Sequence, residues 1–364
     1  MKRLLISSFL AALILAGCKD SAYTLPTAVA HRGCWLMDGD EFYINENCPQ
    51  GVTMAARYGY PAVEIDVKYT SDSVMVVMHD DTINRTMRMA SDYSPIREQV
   101  YVEKTSFEEL RTKYVLASTD PGLRTPIPTL KEELAACKEY GIIPMLHSEV
   151  IESYFLAQSM LGDSWIGFTG NEEALREARK ISDCLVLLDP GRVPVENTVE
   201  RLLSLGGKAG MSTMGYDMLD ASYIKTVKDA GFEVQASIFP TPHEVRAVHD
   251  GVTIQLSDFY WLPSKHTGKE AASWKAKRKM SEGETEEMVL PEDAFQGMDF
   301  IAYTLDLTFS GSVSVDLNGR TYTLASEGPA TEHFGLRLYR DIPSVKITAN
   351  GPSEVKARAK IHIL

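Results

Sequence analysis

The sequence predicts an α/β protein: a TIM-type (β/α) barrel followed by a small C-terminal all-β, sandwich-like module. Between residues 24 and 264, short apolar strands alternate with helix-period segments, the pattern of a mainly parallel sheet covered by helices. Eight or nine strands in roughly 240 residues favour a closed barrel. A doubly wound open sheet is the alternative, but no glycine-rich phosphate loop opens its first helix.

The N-terminus has the pattern of a secretion signal. Residues 1–18, MKRLLISSFLAALILAGC, carry two basic residues and then an apolar run that is short for a transmembrane helix. The ending LAGC resembles a bacterial lipobox, which predicts a lipid on Cys18. Lys19 then favours the outer membrane, and the expected location is the bacterial cell envelope. The alternative is a plain signal peptide followed by a chance cysteine.

Apolar runs divide the barrel segment into elements. A helix is expected over TLKEELAACKEYG, where Gly141 is a candidate C-cap, and another over NEEALREARKI. The strand candidates are TAVAHRG, PAVEIDV, VMVVMHD, IIPMLHSEV, WIGFTG, CLVLLD, AGMSTM, EVQASIF and VTIQLSD.

One connection is too short for a helical crossover. Only KYTSDS separates VEIDV from VMVVMHD, so these two strands are predicted to form a hairpin. If Ser71 and Asp72 were the central turn residues, Glu64 would face His79. Glu64 and Asp66 share one strand face in any register, and two carboxylates at this spacing suit a divalent cation such as Ca²⁺ or Mg²⁺. The same spacing puts Lys68 on that face.

The C-terminal part changes in texture. Residues 265–287 are highly charged, lack a clear apolar stripe and are predicted to be a helical or irregular linker. Residues 288–364 alternate Thr, Val, Tyr and Ser, with Asn-Gly turns at 318–319 and 350–351, and therefore predict antiparallel strands. Structural packing on the barrel is the expected role of this module.

Charge and cysteine content limit the partners. The net charge of −13 disfavours nucleic acid but leaves room for a small phosphate-containing molecule. Cys34 and Cys48 lie in one loop region and could pair, whereas Cys137 and Cys184 are expected to be buried free thiols. No C-x-x-C metal spacing occurs in the sequence.

Further polar side chains end predicted strands, where barrel active sites lie. His31 and Arg32 end the first strand, and Arg32 offers a fork that suits phosphate. Together, His31 and His79 supply two imidazoles for acid–base chemistry. Glu149 ends the fourth strand and could be a third carboxylate ligand; His147 could ligate or merely pack.

Several short motifs occur in order along the predicted barrel. They are His31-Arg32-Gly33, Glu46-Asn47-Cys48, Glu64-Ile65-Asp66 followed by His79-Asp80, DTINRT, IPTLKE and GVTIQLSD. From Ala30 to about Asp258 the chain therefore resembles the glycerophosphodiester phosphodiesterase family, in which the second motif reads E-N-T. The resemblance does not extend to the C-terminal module.

The resemblance implies a metal-dependent phosphoric diester hydrolase using one divalent cation, Ca²⁺ or Mg²⁺. Matching positions assign metal ligation to Glu64, Asp66 and Glu149, acid–base catalysis to His31 and His79, and phosphate binding to Arg32. In the family's usual mechanism a glycerol hydroxyl attacks phosphorus, one histidine takes its proton, and the other protonates the leaving alcohol. The implied products are glycerol 3-phosphate and an alcohol.

Two departures from the family pattern bear on the substrate. The family has E-x-K on the fourth strand, but Ile151 stands in the lysine position here, and Lys68 is predicted to replace its charge near the phosphate. The late W-T-V-N motif is replaced by ASIF at residues 236–239. A related phosphodiesterase with another phospholipid-derived or glycan-linked substrate, and a non-catalytic binding lipoprotein, are the alternatives.

Overall fold

The computed structural model describes residues 27–213, 221–237, 251–257, 269–290, 295, 298 and 300–363. The predicted signal peptide (residues 1–18) and lipidation site Cys18 lie outside the described residues and stay predictions. In the described part of the chain, no helix is long and apolar enough to cross a membrane.

The described part of residues 27–257 contains thirteen strands, eight of which close into a barrel. The thirteen strands are β1 (Thr27–Ala30), β2 (Leu36–Asp38), β3 (Glu41–Ile44), β4 (Ala62–Tyr69), β5 (Met75–Val77), β6 (Met87–Met89), β7 (Tyr114–Leu116), β8 (Ile143–His147), β9 (Ile166–Thr169), β10 (Leu185–Leu188), β11 (Ala209–Thr213), β12 (Glu233–Ser237) and β13 (Ile254–Ser257). Strands β4 and β8 to β13 pair in parallel in that order, and β1 pairs with both β13 and β4. This closure confirms the predicted TIM-type barrel.

Helices cover the outside of the barrel. They are α1 (Pro49–Tyr58), α2 (Phe107–Lys113), α3 (Leu130–Tyr140), α4 (Ile151–Leu161), α5 (Glu172–Ile181), α6 (Val195–Leu205) and α7 (Ala221–Asp229), with 3₁₀ turns at Val102–Lys104 and Pro121–Leu123. Helix α3 shows how the sequence sets its ends: Thr129 and Glu132 form a capping box, and Gly141 is the predicted left-handed C-cap, with φ 67°.

Strands β4 and β5 form the predicted hairpin, but its predicted register is wrong by one residue. Val67, and not Asp66, lies opposite Val77. The reason is a three-residue loop, 71–73, in which Ser73 takes a left-handed φ of 61°. Because β5 ends at Val77, His79 lies beyond the paired strands and does not face Glu64 across the hairpin.

The C-terminal region is all-β and antiparallel, as predicted. Its strands are β14 (Lys269–Met280), β15 (Thr285–Glu287), β16 (Phe300–Leu317), β17 (Arg320–Tyr339), β18 (Val345–Ala349) and β19 (Ser353–Ile363). Strand β16 pairs with β17 along one edge and with β19 and then β18 along the other, so the strands belong to one continuous sheet. The predicted Asn318-Gly319 turn joins β16 to β17, with φ values of 48° and 81°.

The predicted linker over residues 265–287 is wrong for the part that the structure describes, because β14 and β15 lie there. Trp274 and its alternate neighbours Ala272 and Ala276 pack against the core of the C-terminal sheet. Two of these three inward residues are alanines, so the buried face of β14 has little hydrophobicity by which to identify it in the sequence. Residues 265–268 lie outside the described part.

Aromatic contacts join the C-terminal sheet to the barrel. Tyr43 in β3 stacks on Tyr339 at the end of β17, with ring centroids 3.7 Å apart and an interplanar angle of 14°. The guanidinium carbon of Arg57 lies 4.5 Å from the ring centroid of Phe300, and the Tyr58 hydroxyl donates to the Leu338 carbonyl at 3.4 Å. The module therefore packs directly against the β2–β3 hairpin, consistent with the expected packing role.

The cysteines of the described chain are buried and form no disulfide: Cys34, Cys48, Cys137 and Cys184. No bridge joins Cys34 and Cys48. Cys48 instead precedes helix α1, and its thiol donates to the Asn45 carbonyl at 3.1 Å.

Candidate active site

Polar side chains meet at the carboxyl ends of three neighbouring barrel strands. Arg32 follows β1, Glu64 and Asp66 lie in β4, and His147 ends β8. Asp66 and His147 are register partners on the parallel strands β4 and β8, so their side chains leave the sheet side by side. The barrel itself thus positions this group of side chains.

The centre of the site is a buried cluster of two carboxylates and one imidazole. One ligand-type atom from each of Glu64, Asp66 and His147 lies within 4.8 Å of the others. His147 Nδ1 is 3.0 Å from Asp66 Oδ1 and 3.6 Å from Glu64 Oε1. Glu64 and Asp66 are only 1% and 5% exposed, and the His147 ring stacks on Phe168.

The two carboxyl groups of the cluster have opposite pKa shifts. Burial, and then the charge of Asp66, raises the pKa of Glu64 well above its usual range. Burial also opposes ionisation of Asp66, but the hydrogen bond and charge of His147, with the charge of His79, outweigh it and lower the pKa of Asp66. The pair therefore favours one negative charge on its own, and a bound cation would let both carboxyls ionise.

Arg32 connects the first strand to this cluster. Its backbone N–H donates to Glu64 Oε2 at 2.9 Å, and Arg32 adopts a left-handed φ of 53°. Its Nη1 donates to Glu46 at 3.3 Å, and its Nε lies 3.8 Å from Asp66 Oδ2. The Nε is buried and has no hydrogen-bond partner in the described part of the protein, so it can donate to a ligand at the carboxylate cluster. The left-handed backbone conformation of Arg32 is strained for a residue other than glycine, and such strained residues are common at binding sites.

Asn47 fixes the orientation of Asp66. Its side-chain Nδ2 donates to Asp66 Oδ2 at 2.9 Å, and its Oδ1 accepts the Asp66 backbone N–H at 3.1 Å. Asn47 also has a left-handed φ, 52°, a conformation that asparagine tolerates better than most residues. One carboxylate oxygen of Asp66 is therefore held by Asn47 and the other by His147.

A chain of ion pairs leads from the buried Glu46 to His79. Arg85 donates to both Glu46 oxygens, at 2.6 and 2.9 Å, and also to Asp80, at 2.7 and 3.0 Å. Asp80 in turn lies 2.8 Å from His79 Nδ1. Hydrogen bonds from Arg85 and His79 lower the pKa of Asp80 to about 2. Asp80 is thus an ionised acceptor for His79 Nδ1 and orients the His79 ring.

His31, the other predicted acid–base residue, lies in the turn directly after β1. Its side chain is half-buried, and the backbone of the next residue bonds to Glu64. His31 therefore sits on the same turn as Arg32, next to the carboxylate cluster. Its acid–base role, like that of His79, stays a prediction.

Lys68 and Glu149 line the open side of the site. A cavity of about 400 Å³ is bordered by both residues together with Asp66, His79 and His147. The Lys68 ammonium lies 2.8 Å from the exposed Asp81 carboxylate. Glu149 is exposed and lies outside the three-residue cluster, where His147 is found. Ligation by Glu149 stays a prediction.

A second cavity, also of about 400 Å³, lies on the other side of Arg32. Besides Arg32 and Glu46 it is bordered by side chains of the β2–β3 hairpin and of the segment after β5, among them Trp35, Phe42 and Arg88. Arg32 borders this cavity and Asp66 borders the first, and the Arg32 Nε lies 3.8 Å from Asp66 Oδ2. The site therefore has room on both sides of that pair.

Sequence reasoning assigned no role to Glu46, Asn47 or Arg85. Glu46 and Asn47 are 5% and 2% exposed, and burial of consecutive polar residues signals a built interaction. The available signal was their place in the motifs Glu46-Asn47-Cys48 and DTINRT. The pairing of Glu46 with Arg85, 39 residues further along the chain, could not be predicted from the local sequence pattern.

Comparison with known proteins places the site in a family. Residues 31–160 match the sequence model of the glycerophosphoryl diester phosphodiesterase family. This segment of the chain belongs to that family. The matched residues contain β4, β5 and β8 and the polar and charged site residues described above.

Curated relatives match over a similar length. Glycerophosphodiester phosphodiesterase 1 of Mus musculus is 31% identical over 121 residues, which make up 32% of this chain and 31% of the relative. The protein of the same name from Homo sapiens is 29% identical over 121 residues, with the same coverage. The chain spans about a third of the length of these curated relatives.

Solved phosphodiesterase structures share the barrel fold. An Oleispira antarctica phosphodiesterase in complex with the product sn-glycerol-3-phosphate has a TM-score of 0.51 at 23% identity, over 64% of this chain and 93% of that one. A glycerophosphoryl diester phosphodiesterase from Parabacteroides distasonis has a TM-score of 0.50 at 21% identity, over 69% and 87%. These likenesses support the (β/α) barrel.

Proposed function

We propose that this protein is a phosphoric diester hydrolase that uses one divalent cation to cleave glycerophosphodiesters into glycerol 3-phosphate and an alcohol. The observation that carries the proposal is the buried Glu64–Asp66 pair beside Arg32, within a segment of the glycerophosphodiester phosphodiesterase family. The acid–base pair His31 and His79 completes the required groups.

The donor set fits a divalent cation. Two buried carboxylates within 4.8 Å of an imidazole repel each other as anions, and a cation between them would offset that repulsion. We assign Glu64 and Asp66 as ligands, with a further donor from His147 or Glu149. Hard oxygen ligands favour Ca²⁺ or Mg²⁺. Such an ion supplies positive charge to the phosphoryl oxygens.

The protein's own cations would hold the phosphate. Arg32 has a buried Nε without a hydrogen-bond partner in the described part of the chain, 3.8 Å from Asp66. A phosphoryl oxygen next to the carboxylate cluster could accept from this N–H. Lys68 borders the same cavity and is the proposed substitute for the charge that the family supplies where Ile151 stands here.

Two imidazoles would move the protons. In the first step one histidine takes the proton of the attacking glycerol hydroxyl, and the other protonates the leaving alcohol as the phosphorus–oxygen bond breaks. The first step therefore yields the free alcohol and a cyclic phosphate of glycerol. In the second step water opens this cyclic phosphate with the histidine roles reversed, which gives glycerol 3-phosphate and restores both histidines to their starting protonation states. The Asp80 contact at 2.8 Å holds His79 Nδ1 and leaves Nε2 to exchange the proton.

The identity of the leaving alcohol is a separate question. The second cavity, bordered by Trp35, Phe42 and Arg88, lies beside Arg32 and is large enough for an alcohol bigger than ethanolamine. This observation favours, as second candidate, a related phosphodiesterase whose leaving group is larger, such as a phospholipid-derived or glycan-linked alcohol. The presence of Ile151 where the family has a lysine also favours a substrate different from that of typical family members.

We also propose that the mature protein acts in the bacterial cell envelope, attached through a lipid on Cys18. The support is the signal-like sequence of residues 1–18 and its LAGC ending. Mass spectrometry of membrane-extracted protein tests this, because acylation would add lipid mass at Cys18 and Cys18→Ser would remove it.

The test of the activity is release of glycerol 3-phosphate from a panel of glycerophosphodiesters with small and large alcohols. Wild type should turn over at least one of them, and His31→Ala and His79→Ala should each lose activity by about a hundredfold or more. Absence of turnover of every phosphodiester would overturn the proposal. Unchanged turnover in either histidine variant would overturn the role given to that residue.

A further inference from the structure

The outer face of the β14–β19 strand pair carries a dense group of cations. Burial alternates along both strands, so Trp274 and Ala357 face the core while every second residue faces solvent. The outward cations, which we call the basic face, are Lys275, Lys277, Lys279, Lys356, Arg358 and Lys360.

The strand register places like charges opposite each other on this face. Lys277 pairs with Lys356, and Lys275 pairs with Arg358. Directly opposed like charges destabilise an antiparallel pair. Across the described residues, Lys279 is the only member of the basic face with an ion-pair partner, Glu354 at 2.8 Å. The β14–β19 pairing therefore keeps two pairs of like charges directly opposed, which costs stability.

Protection of a sheet edge explains only part of this pattern. Lysines on an edge strand prevent pairing with other chains, which accounts for the lysines of β14. Strand β19 lies inside the sheet, between β14 and β16, and has no edge to protect. Arg358 lies opposite Asp306 of β16 in the register, but Lys356 and Lys360 lie opposite Thr308 and Thr304 and need another reason, all the more in a chain of net charge −13.

The flat shape of the basic face favours an extended anionic surface over a single phosphate group. Neighbouring cations are about 7 Å apart along a strand and about 5 Å apart between strands, which makes a flat array rather than a pocket. Five of the six are lysines, which act as point charges and not as forks for one phosphate. Trp274 points into the core, so the array lacks the aromatic platform on which single-stranded nucleic acid stacks.

We propose that the basic face binds the surface of a bilayer that contains anionic phospholipids. A flat array of lysines meets many headgroup phosphates at once, and each lysine near such a surface strengthens binding by about fivefold. The interaction adds to any lipid attached at Cys18 and does not depend on the proposed hydrolysis. The C-terminal sheet would then have a role beyond packing on the barrel.

Vesicle co-sedimentation tests this inference on the full chain carrying Cys18→Ser, so that no acyl group contributes. The vesicles are phosphatidylcholine with or without phosphatidylglycerol, at low and high salt. Stronger partitioning onto the anionic vesicles is expected, and high salt should weaken it. The triple variant Lys275→Glu, Lys277→Glu, Lys356→Glu should bind anionic vesicles at least about a hundredfold more weakly, because three contributions of about fivefold multiply.

A matched variant separates the basic face from overall charge. Lys131→Glu, Lys138→Glu and Lys208→Glu change three exposed barrel lysines by the same total charge, and binding should fall by less than about threefold. Equal losses in the two triple variants, or no preference of the parent protein for anionic vesicles, would overturn the inference. So would binding of a DNA strand that exceeds vesicle binding and is lost with the same three lysines.

A variant that neutralises one lysine distinguishes loss of the charge from loss of the fold. Lys277→Gln removes one opposed like-charge pair, so its thermal unfolding midpoint should equal or exceed that of the parent, while its binding to anionic vesicles falls by about fivefold. Undiminished vesicle binding by this folded variant would also count against the inference.

Discussion

Glu133 offers a quantitative test of how the barrel is packed. It lies on the inward face of α3, is 0% exposed, and neither carboxyl oxygen has a hydrogen-bond partner in the described structure. Burial, and then the charge of Glu132, raises the pKa of Glu133 from 4.5 to about 8. Replacement by leucine keeps a side chain of similar size and removes the ionisable group.

The sign and size of the effect follow from linkage. Because the pKa is higher in the folded state, the folded protein retains a proton on Glu133 that the unfolded chain loses. Its stability is therefore greatest below pH 4.5 and falls as pH rises towards about 8. The difference between the two pKa values corresponds to about 5 kcal/mol, as an order of magnitude.

The assay is urea unfolding of wild type and Glu133→Leu at about pH 5 and about pH 9. The stability advantage of Glu133→Leu over wild type should be larger at the higher pH by several kcal/mol. Glu139→Gln, at an exposed position of the same helix, is the matched control and should show no such pH-dependent difference. An equal advantage of Glu133→Leu at both pH values would refute the reasoning.

Three further predictions concern the site and one helix end. Arg85→Ala should cost about 2 kcal/mol of stability in urea unfolding, after allowance for its partial exposure, because the buried Glu46 loses its bidentate partner and keeps only the 3.3 Å contact with Arg32. Arg88→Ala, whose guanidinium bonds backbone carbonyls, is the control and should cost less. Lys68→Ala should lower kcat/KM by about tenfold if Lys68 contacts the phosphate, and full activity would remove that role. Thr129→Ala should lower the free energy of unfolding by about 1 kcal/mol through loss of the capping box, and an unchanged value would show that the box does not contribute.

The barrel could be predicted from the sequence because several independent features of the sequence indicate the same fold. Alternating strands and helices, the short KYTSDS connection and the ordered motifs all agreed, and the closed parallel sheet confirms them. Glu64 and Asp66 could be grouped because their two-residue spacing puts them on one strand face, and Arg32 because it ends a neighbouring strand, where parallel barrels bring side chains together.

The hairpin register could not be read in the same way. A two-residue and a three-residue loop differ only in whether Ser73 takes a left-handed conformation, and serine gives little signal for it. One residue of difference moved His79 away from Glu64. Its position depends instead on Asp80 and Arg85, which connect to Glu46 far along the chain.

The charged segment before residue 288 was misread for a compositional reason. Strand β14 does alternate, but its inward positions include Ala272 and Ala276, whose small side chains weaken the apolar half of the pattern. The register of β14 on β19, which opposes the cations of the basic face, joins segments about 80 residues apart and cannot be predicted from local sequence.

The most direct test of the central claim is the dependence of glycerol 3-phosphate release on a divalent cation bound at Glu64 and Asp66. Wild type stripped with a chelator should lose activity and regain it with Ca²⁺ or Mg²⁺. Asp66→Asn should stay at least about a hundredfold less active at ion concentrations that saturate wild type. Activity that is indifferent to the chelator, or that survives in Asp66→Asn, would contradict the account.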